Sequence, residues 1–406
     1  MSSEWRTVRV GDLGRIVTGK TPRTTIKENF GGKIPFLTPS DDMSAKYVRK
    51  TKRTLSEQGV AEVAGKVLPA NSIAVSCIGS NLGKVTITTT ETVTNQQINS
   101  IIPFESYYDT DFVYYAIKIL GERLNFLSKT STAVPIINKT QFSNETIRVP
   151  PLPIQKAISG TLACLDAKIE INNRITANLE QQAQAIFKSW FVDFEPFKDG
   201  EFVDSSIGPI PDGWIVKALD EVADYVNGLA MQRYRPQDNE EGLPVIKIRE
   251  LRQGFADESS DRCTAAIEDD YVIDDGDIVF SWSGTLMVDI WTGGRAGLNQ
   301  HLFKVSSRNY PRWFYYLWTK FHIEYFRHIA DSRATTMGHI KRSHLKEAKV
   351  LVPDAISLEW MTALMEPLID MQMTRRMENR VLASLRDVLC PALLSGEIEV
   401  PVVYHE

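Results

Sequence analysis

Apolar positions recur at two different periods along this chain, and the change from one period to the other happens twice. Over residues 1–150 and again over residues 207–353, short apolar or alternating runs predict strands: Ile73–Ser76, Lys84–Thr88, Ile98–Pro103, Ile278–Trp282 and Phe303–Ser306. Gly, Asn, Asp and Pro break them, as turns require. A short aromatic helix is predicted after each set, near Asp111–Leu120 and Pro311–Phe326. The period then lengthens. Ile158, Leu162, Leu165 and Ile169 recur at steps of four, three and four, which predicts one long helix from Leu152 to Trp190 that also carries Leu179. Met361, Met365 and Leu368, then Met377, Val381, Leu385 and Val388, predict a second from Ser357 to Leu394. Pro150, Pro151 and Pro153 precede the first helix and Pro353 the second, where proline is tolerated. Both stripes are narrow, as suits helix pairing.

The two halves match in order, the mark of an internal duplication. An offset of 209 aligns Trp5 with Trp214, Gly19 with Gly228 and Ile34–Leu37 with Leu243–Ile246. Ile73–Ser76 then matches Ile278–Ser281, Asn95-Gln96 matches Asn299-Gln300, and Tyr114-Tyr115 matches Tyr315-Tyr316. Phe142 and Pro150 pair with Leu345 and Pro353, and Asn173–Leu179 with Asn379–Leu385. The offset drifts only to 201 and back to 206. The expected architecture is α+β: two strand-rich domains (1–150 and 207–353), a central helix with linker (151–206), and a distal helix with tail (354–406). The two long helices are expected to lie antiparallel, like a coiled coil.

Composition adds less. The chain has 406 residues, 43% hydrophobic and 24% charged, as in folded soluble proteins. No apolar run is long enough to span a membrane. The first nine residues lack a signal-peptide core, so a cytoplasmic location is expected. Cys77, Cys164, Cys263 and Cys390 are scattered and read as reduced thiols. No His or Cys spacing suggests a metal site. Net charge is −5, but residues 1–150 hold 19 Lys and Arg against 13 Asp and Glu, while residues 354–406 hold 4 against 9. Phosphate contacts dominate nucleic-acid affinity, so this chain alone is expected to hold DNA weakly.

The ordered set of features resembles the specificity subunit of type I restriction-modification systems. The resemblance is carried by Gly208–Trp214 and Glu4-Trp5 at the openings of the two halves. Phe187–Phe194 and Leu394–Ile398, at the ends of the long helices, and the paired Asn-Gln dipeptides carry it further. It implies two target recognition domains, each reading one half of a split sequence in double-stranded DNA, with the helices fixing the gap. It also implies two modification (methyltransferase) subunits docked on the helices and separate restriction or motor subunits. No catalysis and no cofactor is implied for this chain; S-adenosylmethionine, ATP and Mg2+ would sit on the partners. Ile158, Leu162, Leu165, Ile169, Leu179, Met361, Met365, Leu368, Met377 and Leu385 are the expected docking-helix positions.

Polar loop residues at equivalent places in both halves are the expected DNA contacts. In the first half these are Lys20, Thr21, Arg23, Ser40, Ser80, Asn81 and Lys84. In the second they are Arg233, Arg235, Lys247, Arg249, Ser283, Thr285, Arg333 and His339. Arginine and lysine read guanine or hold phosphate, and asparagine reads adenine. The Asn-Gln pairs read better as structural turns. Gly14–Thr21 fits the phosphate-loop pattern, but Pro22 follows at once and no helical stripe comes after it. A basic loop is expected there instead. Glu347-Ala348-Lys349 reads as a solvated strand edge. The competing functional class is a two-domain scaffold that binds proteins without reading DNA.

Overall fold

The computed structural model describes residues 5–128, 136–332 and 338–401. They form two compact units that do not follow the chain in order. One runs up to Ala167 and takes back the chain from Ala383 onward; the other is Lys168–Leu382. The division cuts both long helices, which span Leu152–Phe191 and Ala355–Ser395. The central helix has 40 residues, about 60 Å at 1.5 Å per residue.

In the first unit, strand Arg6–Arg9 pairs antiparallel with Thr146–Val149, joining the start of the domain to its end. Between them lie two sheets. One orders Gly14–Thr18, Ile98–Pro103, Ile73–Ser76, Val85–Thr88 and Tyr47–Val48; the other orders Arg53–Leu55, Phe30–Leu37, Thr92–Thr94 and Val67–Leu68. The helix Thr110–Ser128 buries Phe112, Val113 and Ile117 against Ile73, Val75, Ile87 and Ile101 of the first sheet. Ile158 and Leu162 of the central helix join this core, as do Cys390 and Leu393 of the distal one.

The second unit repeats the plan. Ile215–Ala218 pairs with Lys349–Val352. Its sheets order Asp224–Asn227, Leu302–Ser306, Ile278–Ser281, Met287–Ile290, and Arg262–Cys263, Leu243–Ile246, Ala296–Leu298, Val272–Ile273. The duplication extends to single hydrogen-bond ladders. The parallel pairing Phe36↔Val93 and Leu37↔Thr94 reappears as Val245↔Gly297 and Ile246↔Leu298. The one helix Thr110–Ser128 is here two, Arg312–Phe321 and Ile323–Ser332, broken at His322. Phe187, Trp190 and Phe191 of the central helix pack with Met361, Met365 and Ile369 of the distal helix and with Trp313, Phe314 and Trp318.

Within the second unit the helices run antiparallel: Trp190 meets Trp360 at 5.0 Å, while Asn172 lies against Glu378 and Asn379. The predicted apolar stripe is interrupted here. Asn172, Thr176 and Gln372 are buried, and Asn172 Nδ2 donates to Glu378 Oε2 and Asn379 Oδ1, both at 2.9 Å. Asn379 returns a bond to Asn173 Oδ1 at 2.8 Å. Residues 172 and 173 thus meet residues 378 and 379, their own counterparts at offset 206. Buried polar contacts of this kind fix register in helix pairs at some cost in stability.

The repeated tryptophans mount the domains. Trp214 is buried against Phe191, Phe194 and Phe197, at the end of the central helix. Trp5 abuts Gly396, at the end of the distal helix, and stacks under Arg148, whose Nη1 donates to Ser395 O at 2.9 Å. The motifs at the two helix ends are therefore the sockets for the two domain openings.

Candidate nucleic-acid interface

Each strand-rich domain carries the same turn. Asn95 Oδ1 accepts from Gln97 N, and Ile98 N donates to Asn95 O; Asn299 Oδ1 accepts from His301 N, and Leu302 N donates to Asn299 O. The dipeptides are turn-formers, as expected. Each turn is crossed closely by a glycine. A Cβ on Gly19 would overlap the carbonyls of Thr94 and Asn95, and one on Gly228 those of Leu298 and Asn299, so only glycine fits. This accounts for Gly19 in the phosphate-loop pattern: Gly14–Thr18 is a strand, Lys20 N donates to Thr94 O, and no helix opens after Thr21.

The loop that follows the central strand is also shared. Thr38 N donates to Asp41 Oδ2 at 2.8 Å, and Lys247 N to Glu250 Oε2 at 3.0 Å. Both acids are buried, at 6% and 2% exposure, and were not singled out from the sequence. Their only visible trace was an acid at the same repeat position in each half.

Around these frames the expected contact residues sort by how far their polar groups are already engaged. In the first domain Lys20 and Lys84 are exposed. Thr21 Oγ1 donates to Gln96 Oε1 at 2.8 Å, Ser40 shares a bond with Thr38, and Asn81 Nδ2 donates to Pro39 O. Ser80 lies in the one-turn helix Gly79–Asn81. Arg23 is different. Its backbone and Nε both bond Glu62 Oε1, and Asn29 holds the other oxygen, so Arg23 clamps its own loop.

In the second domain Arg233 and Arg235 are exposed and make no ion pair among the described residues. Arg235 and Lys247 line one cleft of about 470 Å3 with Gln232, Asp261, Arg262 and Asn299. Lys247 Nζ binds Asp261 and, with Arg235, holds that carboxyl below the usual carboxylate range. Arg249 is consumed by structure: its guanidinium bonds Glu250, Asp257, Ser259 and Ser260. Reading a base with it would abandon the buried Glu250, so it is a loop clamp. Ser283 is buried, its Oγ 3.0 Å from His301 Nδ1. Thr285 and His339 are exposed, and Arg333 lies outside the described residues.

Hydrogen bonds from Ser259, then from Gln253 and Arg249, pull Asp257 from an ordinary 3.8 down to about 2. A depressed carboxylate stabilises the fold above its unfolded pKa, and that contribution fades as pH falls from 4 through 2. Asp257→Asn should therefore flatten the acid limb of stability between pH 4 and 2, read by urea unfolding at each pH. An acid limb like that of the parent would show that the clamp does not act through this charge.

Of the expected docking positions, Ile158, Leu162, Leu179, Met361 and Met365 are buried within the units, and Leu165, Ile169, Leu368 and Met377 are half-buried. Leu385 is 45% exposed, and Val388, one turn on, is 68% exposed. Among the described residues no helix is long and apolar enough to cross a membrane.

Residues 2–181 and 211–367 match the family described as type I restriction modification DNA specificity domain. The chain is 29% identical to the specificity subunit of the type I restriction enzyme MjaIX of Methanocaldococcus jannaschii, over 98% of this chain and 94% of that one. It is 35% identical to the HindI specificity subunit of Haemophilus influenzae, over 42% and 38%. The crystal structure of a type I restriction-modification S subunit from M. genitalium shares the fold, with a TM-score of 0.55 at 16% identity and coverage of 99% and 98%. The chain therefore belongs to the type I restriction-modification DNA specificity family, whose domain it carries twice.

Proposed function

We propose that this chain is the sequence-reading subunit of a type I restriction-modification complex, each strand-rich domain reading one half of a bipartite DNA target. The observation that carries this reading is the duplicated frame. The Gly–Asn turn and the acid-held loop are the same in both domains, while the side chains set around them differ. Two similar supports with different polar surfaces suit two different half-sites. The antiparallel helices would set the gap between half-sites, so that two weak contacts act together at a defined separation. Two modification subunits would dock on helix positions left outside the cores, Leu385 and Val388 among them. S-adenosylmethionine would be bound by those subunits, and ATP and Mg2+ by motor subunits. This chain supplies the address rather than the chemistry.

Methylome mapping in cells expressing the chain with its modification subunits should give one bipartite motif with a fixed gap. Arg235→Ala should weaken the second domain's half-site by about tenfold or more and leave the other untouched, since a good arginine–base contact is worth roughly 1–3 kcal/mol. A chain that assembles with its partners yet directs no motif would favour the protein-binding scaffold.

A further inference from the structure

Beside the Asn turn, five residues of each domain form a second shared frame. Cys77 N donates to Gln97 O at 2.9 Å, and Trp282 N to His301 O at 3.4 Å. The carbonyl of the same residue accepts in turn: Ile137 N to Cys77 O at 2.9 Å, and Ile340 N to Trp282 O at 3.1 Å. A single β-bridge completes each frame, Ile78↔Ile136 in the first domain and Ser283↔His339 in the second. The backbone is one design used twice.

The side chains on it are opposite in character. The first domain presents Ile78, half-buried, and Ile136, 61% exposed, while Gln97 Oε1 is tied to Asn95 Nδ2 at 2.9 Å. The second presents Ser283, His301 and His339, with the Trp282 ring 6.0 Å from His301 and 6.4 Å from His339. Trp282 is fixed by its Nε1 bond to Asn227 Oδ1 at 2.9 Å, and His301 by Ser283 at Nδ1. Among the described residues the exposed His301 Nε2 meets only the Gln300 amide, at a long 3.4 Å that a base edge can replace. Rigid presentation of this kind suits contacts to base edges, whereas long cations on loops suit phosphate.

We infer that this frame is a base-selecting position in both domains: Ile78 and Ile136 read a thymine methyl group, and His301 and His339 read the polar edge of a base. The side chains of the half-buried Ile78 and the exposed Ile136 offer no hydrogen bond, and the C5-methyl of thymine is the largest apolar group that a base presents in the major groove. Imidazole nitrogens donate or accept, and so distinguish polar base edges. The inference rests on the DNA-reading assignment above.

The test uses the full chain assembled with its modification subunits. Ile136→His and His339→Ile each place at the bridge a residue that the same frame already holds in the other domain. Each should change the base accepted at one position of one half-site, with the other half-site unchanged. Independently, in oligonucleotides carrying the parent motif, each thymine is replaced singly by deoxyuridine, which removes only the methyl. Methylation by the unaltered complex should fall roughly tenfold at one thymine, confined to one half-site, as loss of a single methyl contact allows. Equal rates at every substituted position, a motif without thymine, or motifs unaltered in both variants would overturn the inference while leaving a bipartite reader in place. A parent complex that yields no bipartite motif would overturn the underlying assignment as well.

Discussion

Replacing Trp214 by alanine should cost about 3–5 kcal/mol, the range for large aromatic side chains removed from cores. Trp214 is 4% exposed and meets Phe197, Phe191 and Phe194 at ring separations of 4.9, 5.4 and 6.0 Å. These partners come from the end of the central helix and the linker after it, so the cavity would open where the second domain is seated. At two to four degrees per kcal/mol for a unit of this size, the melting point should fall by roughly 10 °C. Trp5 provides the internal control. It holds the same repeat position but is only half-buried, resting on Gly396 and under Arg148 at 5.3 Å. Trp5→Ala should cost about 1–2 kcal/mol, for partial burial and one cation–π contact. Differential scanning calorimetry of both variants would check this. Equal losses would mean that the two sockets are equivalent, against the difference in burial.

The same pair of tryptophans shows what the sequence makes visible. Trp5 and Trp214, with Gly19 and Gly228, exposed the duplication because each is held in place by backbone or helix-end contacts that both copies need. Strand Ile98–Pro103 and both helix boundaries were legible for a related reason, since period and proline placement act locally. The interruption of the helix stripe was not. Asn172 looks like any solvated helix residue until Glu378 and Asn379 are brought to it from two hundred positions away. Among the candidate contacts, Arg23 and Arg249 had the right chemistry for DNA. Their engagement by Glu62 and by Asp257, Ser259 and Ser260 depends on how loops fold back, which no spacing rule encodes. His301 carries no signal of its own in the sequence, standing just after the turn-forming Asn299-Gln300. Its copy is Gln97, and the positions where two readers must differ are those that a repeat leaves unmarked.

Asp166→Ala should be as damaging as the loss of Trp214, by a different mechanism. Asp166 Oδ1 accepts from Arg386 Nη1 at 2.8 Å, and Oδ2 accepts from Tyr115 Oη at 2.5 Å. Lys46 Nζ lies 3.2 Å from the same phenol and 3.0 Å from Asp111. The network links the domain's helix Thr110–Ser128 to both long helices within the first unit. Its ion pair is largely buried, at 17% and 20% side-chain exposure, and burial followed by the Asp166 charge pushes the Tyr115 phenol up, well out of its usual range. Removing the carboxylate leaves the Arg386 guanidinium to the exposed Asp387 alone and the Tyr115 hydroxyl without its acceptor, which together cost about 3 kcal/mol. Removing both charges is another matter. Asp166→Leu and Arg386→Met, combined with Tyr115→Phe to remove the buried hydroxyl that would lose its acceptor, should restore stability to near the parent or above it, because a buried ion pair scarcely repays its desolvation. If the pair serves to orient the domain on its helices, the restored protein should still methylate poorly. Its melting point would recover while methylation of an oligonucleotide bearing the full motif stayed about tenfold down, the scale expected when a reading surface is slightly misplaced. Full recovery of both would reduce the network to a packing element and leave orientation to the aromatic sockets alone.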